Sequence, residues 1–153
     1  MSANIIMGVK EGNMDINSLN RFLQAQTKVY EVALSEIQNG RKRTHWMWFI
    51  FPQLRGLGQS EMSYIYGIKD EAEAKAYLSN SVLGERLIEI SSALLQHDNK
   101  TAREILGCID ADKLRSSMTL FAKISGEKSI FHQVLEVFYN GKMDARTLEI
   151  LNR

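Results

Sequence analysis

Cysteine occurs once, at Cys108, so an internal disulfide is excluded and a reducing cytoplasm is the expected setting. Histidine occurs three times, at His45, His97 and His132. None has a second histidine or a cysteine at ligand spacing, and no H-E-x-x-H pattern is present, so no metal site is expected. Proline occurs once, at Pro52. The longest apolar run, Trp46 to Phe51, is far short of the roughly 20 residues that span a bilayer. The first residues have neither the basic lead nor the apolar centre of a signal peptide. The net charge is only +1, which argues against a dedicated nucleic-acid or membrane surface. Repeats and low-complexity segments are missing. So are a phosphate-loop signature and a nucleophile elbow, and Gly56-Leu57-Gly58 lacks the rest of a dinucleotide fingerprint. No cofactor is expected.

What is present is ordinary core-forming material: 153 residues, 44% hydrophobic and 24% charged. A chain of this length buries roughly 70% of its unfolded surface in one domain. Residues 1–15 show no sustained period and read as a flexible tail before a domain over 16–153. Leu19, Phe22, Leu23, Val29, Tyr30, Ala33 and Ile37 recur at helical spacing. They predict one helix from Asn17 or Ser18 to about Gln38, stopped by Asn39-Gly40. Gln26 lies on that stripe and reads either as a satisfied core amide or as a pocket group. His45 to Phe51 has no partner strand in the sequence and reads as a short buried helix, ended before Pro52.

Further on, Ser60 caps a helix to about Tyr66, and Asp70 caps Glu71 to Leu78. Ser81 caps a helix to about Gln96 whose stripe includes Ile88, and Thr101 with Glu104 forms a capping box for Ala102 to Leu106. Asp110 caps Ala111 to Ile124, with Cys108 a buried thiol just before it. Ser129 caps a helix to Tyr139, and Asp144 caps a terminal one. The expectation is an all-α, irregular bundle of about eight mostly short helices without significant sheet.

The stretch Gly40 to Ser60 departs furthest from average composition. Arg41, Lys42 and Arg43 follow a helix C-terminus, whose dipole favours cations. His45, Trp46 and Trp48 follow at once. Gln53 and Arg55 then sit on a glycine-bracketed loop, where cations and backbone amides suit an anion and indole faces suit a flat group. A second cluster, Asp112 to Phe121, carries Lys113 and Ser117 four residues apart on one helical face. A small anionic, possibly nucleotide-like, ligand is the partner these residues suggest. Lys42, Arg43 and Arg55 would pair with its charge, Trp46 or Trp48 would pack on its flat part, and Gln53, Lys113 and Ser117 would complete the pocket if the two motifs meet in space. His45 would be the acid–base group, since its ordinary pKa is near neutral. The alternative is a non-enzymatic protein- or RNA-interaction module presenting the basic, Trp-rich edge.

Gly40-Arg-Lys-Arg-Thr-His-Trp-Met-Trp-Phe-Ile-Phe-Pro-Gln-Leu-Arg-Gly-Leu-Gly58, Leu83-Gly-Glu-Arg-Leu87, Lys113 to Phe121, and Gly141 to Leu148 resemble the signatures of a bacterial family filed as a domain of unknown function. Many of its members carry the label "calpastatin". The likeness covers about residues 15–151, with Thr44 where the family pattern has serine. It implies a compact all-α fold and no activity. Inhibitors of the calpastatin type are disordered and repetitive, which this core-forming chain is not.

Overall fold

The computed structural model describes residues 15–126 and 128–153. The expected tail over 1–15 therefore lies, except for Asp15, outside the described residues. Ten helices occupy the rest: α1 Asn20–Gln26, α2 Tyr30–Gln38, α3 Met47–Ile50, α4 Glu61–Ile65, α5 Glu71–Ser79, α6 Leu83–Leu95, α7 Ala102–Leu106, α8 Cys108–Ser125, α9 Ile130–Tyr139 and α10 Ala145–Leu151. Among the described residues the only extended pairing is one parallel bridge, Leu54 to Ile68. The fold is all-α and irregular, with ten helices among the described residues against an expectation of about eight.

Helix α8 is the axis. It packs against α5, α7, α9 and α10, while α6 packs on α2, α5 and α9. Leu114, Met118 and Phe121 of α8 are wholly buried. An aromatic line crosses the core through them. Phe22 of α1 meets Tyr77 of α5 edge-on at 5.0 Å, Tyr77 meets Phe121 at 5.5 Å, and Phe121 meets Phe131 of α9 at 5.7 Å. Each such pair adds about 0.5–1.5 kcal/mol beyond the area it buries.

Local chemistry sets most helix starts. Ser60, Asp70, Thr101, Ser129 and Asp144 each accept the backbone N–H three residues on, and Thr101 with Glu104 completes the capping box. Five expectations fail. The helix predicted to run from 17 or 18 to Gln38 breaks after Gln26. Thr27 Oγ1 bonds back to the Leu23 carbonyl, and the amides of Thr27 and Val29 reach only three residues back. Such back-bonding bends helices. The break lets Gln26 point inward, where its amide donates to the Phe49 carbonyl at 2.7 Å and the Tyr77 hydroxyl at 3.0 Å. It is a satisfied core amide.

Ser81 does not cap α6; Asn80 Oδ1 accepts from the amides of both Val82 and Leu83. Asp110 does not cap α8, which starts three residues earlier than predicted. Gly107, at φ +87°, turns α7 directly into it, and Asp110 is instead paired with Lys42. Cys108 consequently sits exposed in the first turn rather than buried. Ile88, placed on the α6 stripe, is 46% exposed.

One buried ion pair ties α1 to α5. Arg21 is 1% exposed. It donates to Glu73 through both terminal nitrogens at 2.9 Å, and to the carbonyls of Ser18, Ile65 and Gly67. All five guanidinium N–H groups are used, which is what a buried arginine requires. Burial raises the Glu73 pKa, but its bonds from Arg21 and the Lys69 amide outweigh that and hold it below the ordinary value.

Candidate functional site

The basic stretch after α2 is shaped by a residue that sequence reasoning did not single out. Glu36, in the last turn of α2, accepts from the amides of Arg43 at 2.7 Å and Thr44 at 3.0 Å, from Thr44 Oγ1 at 2.7 Å and from Trp46 Nε1 at 2.9 Å. The loop therefore wraps a carboxylate. Burial raises the Glu36 pKa, yet these four donors outweigh it and bring it to about 2. Thr44 serves as a hydroxyl donor here, a role serine would equally fill.

That wrapping distributes the residues of the stretch. Trp46 is fully enclosed, with its N–H taken by Glu36, so it presents no face to a ligand. Lys42 is held in an ion pair with Asp110 at 3.0 Å and stacks over Trp46 at 5.0 Å. Arg55 is also engaged. It donates to the carbonyls of Tyr64 and Ile16 and to Asn17 Oδ1, and it lies over the Tyr64 ring. It ties the 53–58 loop to the chain before α1. Arg43 and His45 are exposed and lie off the cavity described next.

Two of the expected residues do meet. Gln53 and Lys113 line one groove of about 410 Å³. The 53–58 loop gives it Gln53, Leu57 and Gly58; α8 gives it Ile109, Asp112, Lys113, Arg115 and Ser116; the start of α10 gives it Asp144 and Arg146. Gly58 lets the loop pack tightly on α4, since a Cβ there would come within 2.4 Å of Ser63 Oγ. Trp48 does not line this groove; it is half-buried, with its ring centroid 5.3 Å from Lys113 Nζ. Behind it, Gln53 and Lys113 also border a hollow of about 10 Å³ with Trp48, Ser63 and Tyr66, a volume of about one water.

Ser117 is not part of the groove. It is fully buried, and its Oγ has no hydrogen-bond partner among the described residues. The α8 residues facing the groove are instead Ile109, Asp112, Lys113 and Ser116, spaced i, i+3, i+4, i+7, with Arg115 beside them. Of the two adjacent serines in the second cluster, Ser116 lines the groove and Ser117 does not. Arg146 and Asp144 belong to a motif visible in the sequence, but no local pattern ties them to α8.

Electrostatically the groove holds three cations, Lys113, Arg115 and Arg146, against two carboxylates, Asp112 and Asp144. Among the described residues none of these five pairs with another. Lys113 has only a long contact of 3.9 Å to Asp110, which Lys42 already neutralises. Arg115 Nε is buried with no acceptor. A larger hollow of about 570 Å³ between the end of α6 and α9 is lined by Asp98, Lys128, His132 and Glu136 among others. Its carboxylates outnumber its one lysine, and the ring of His132 is engaged with Ser129. Among the described residues no three His, Cys, Asp or Glu side chains are grouped to hold a metal ion.

The pattern of motifs extends to whole families. The family described as "Protein of unknown function (DUF1810)" matches residues 16–151. The chain belongs to the DUF1810 family. A solved structure, the conserved hypothetical protein Rv1873 from Mycobacterium tuberculosis, is 45% identical and superposes with a TM-score of 0.87. The match covers 91% of this chain and 99% of that one. A comparison with curated proteins yields no match. The DUF1810 fold is thus shared closely between the two chains. No helix among the described residues is long and apolar enough to cross a membrane.

Proposed function

We propose that the groove between α8, the 53–58 loop and the start of α10 binds a small anionic ligand, such as a phosphorylated or nucleotide-like metabolite. The observation that carries this is the set Lys113, Arg115 and Arg146 around one hollow, none of them paired with its two carboxylates among the described residues. A volume near 410 Å³ falls in the range of small-molecule sites. Gln53 supplies amide bonds, and Trp48 lies next to Lys113. Lys42 and Arg55 support the walls, Trp46 fills the core, and Arg43 and His45 take no part.

The test is tryptophan fluorescence titrated against a panel of nucleotides and phosphorylated metabolites. Trp48 is the responsive ring, because Trp46 is enclosed. Arg115→Ala and Arg146→Ala should each weaken binding about 10- to 100-fold, the value of one charge-assisted hydrogen bond. Arg43→Ala and His45→Ala should leave it unchanged. A panel without any response, or arginine variants that bind like wild type, would overturn the proposal.

A further inference from the structure

An anion site built only for charge would exclude carboxylates, and this groove has two. Asp144 is rigid: its Oδ2 accepts the Thr147 amide at 2.9 Å and the Thr147 hydroxyl at 2.6 Å as the cap of α10, which leaves Oδ1 without a donor among the described residues. Asp112 is exposed at the groove wall and has no ion pair among the described residues, although Arg115 lies three residues on along the same helix. Residues at that spacing are neighbours, with about 5–6 Å between their Cβ atoms, and opposite charges there commonly pair. Here the two do not pair with each other among the described residues, and both line the groove. A purely anionic ligand would be repelled by Asp112 and Asp144 as it approached the three cations.

We infer that the ligand is zwitterionic: an anionic group meets Lys113, Arg115 and Arg146, and an ammonium or similar cationic donor meets Asp112 and the open Oδ1 of Asp144. This rests on the groove being an anion site. The chemical class is an aminoalkyl or aminoacyl phosphate or carboxylate, and its two charges are separated by about the distance between neighbouring side chains on one helix face. Specificity would follow from the carboxylates. They reward the ligand that carries an amine and penalise the one that does not.

The experiment compares O-phosphoethanolamine with 2-hydroxyethyl phosphate, matched probes in which a hydroxyl replaces the ammonium. Each is titrated by calorimetry into wild type and Asp112→Asn. Asp112 is chosen because it is exposed and caps nothing, so folding is spared. Wild type should prefer the amine probe by about fivefold, the upper value of a partly solvated ion pair. In Asp112→Asn the amine probe should bind more weakly and the hydroxyl probe the same or more tightly, a change of opposite sign. If both probes bind wild type equally, or both tighten in the variant, Asp112 only opposes anions and the zwitterion inference is wrong while the anion site stands. If neither probe binds wild type and no other phosphate does, the anion site itself is wrong.

Discussion

Replacing Glu36 by glutamine should remove one of the larger single contributions to this fold, and it should do so in a pH-dependent way. The carboxylate is 9% exposed and accepts four hydrogen bonds from the loop that follows α2. Its pKa falls from an ordinary 4.5 to about 2. A depressed acid stabilises the folded state above its unfolded pKa and loses that stabilisation as pH falls through the folded value. The difference corresponds to about 3 kcal/mol at neutral pH and about 1.5 kcal/mol near pH 3. Glutamine keeps one oxygen for the amides but carries no charge, so its own stability lacks this pH dependence. The assay is urea unfolding of wild type and Glu36→Gln at pH 7 and pH 3. The gap should be about 3 kcal/mol at pH 7 and about half that at pH 3. A gap below about 1 kcal/mol at pH 7, or one that does not narrow in acid, would refute the reasoning, since it would mean that the four bonds do not favour the charged form.

Arg21→Met should cost about 3–5 kcal/mol by leaving Glu73 buried without its partner, and Arg21→Met with Glu73→Leu should recover much of that in the same unfolding assay. Gly84→Ala should be among the worst alanine substitutions in the chain. Its Cβ would lie 2.0 Å from the Leu78 carbonyl oxygen, so α6 must move off the end of α5. A loss of about 3 kcal/mol or more is expected from such overpacking, read as a fall in thermal midpoint. Cys108 is exposed, so a thiol reagent should label native protein to one equivalent without denaturant; labelling that requires unfolding would contradict that placement.

What could be read from the sequence was local. Caps at Ser60, Asp70, Thr101, Ser129 and Asp144 bond within three residues, so the relevant partners sit side by side in the chain. The stop at Asn39-Gly40 and the short helix after His45 are local in the same sense. What could not be read depended on distant partners. Gln26 bonds residues 23 and 51 positions away, and Arg55 bonds residues 38 and 39 positions back. A basic residue looks the same in sequence whether it is engaged, as Lys42 and Arg55 are, or lines the groove without an ion pair among the described residues, as Arg115 and Arg146 do. The same holds for Trp46 and Trp48, two residues apart, of which one is enclosed and the other half-buried beside Lys113. Gln53 and Lys113 were identifiable because composition had already marked both segments. The other half of the groove required knowing that α10 starts beside α8, where the Asp144 amide bonds Thr119 Oγ1 at 2.9 Å.

The most direct measurement of the groove's role is an amide correlation spectrum of the labelled 17.4 kDa protein, titrated with inorganic phosphate and then with a nucleoside monophosphate. Binding at the groove predicts saturable shifts concentrated in residues 53–58, 109–116 and 144–146, with the Trp48 indole moving and the Trp46 indole still. Shifts centred on Arg41 to His45, or no saturable shift with any anion, would contradict the account.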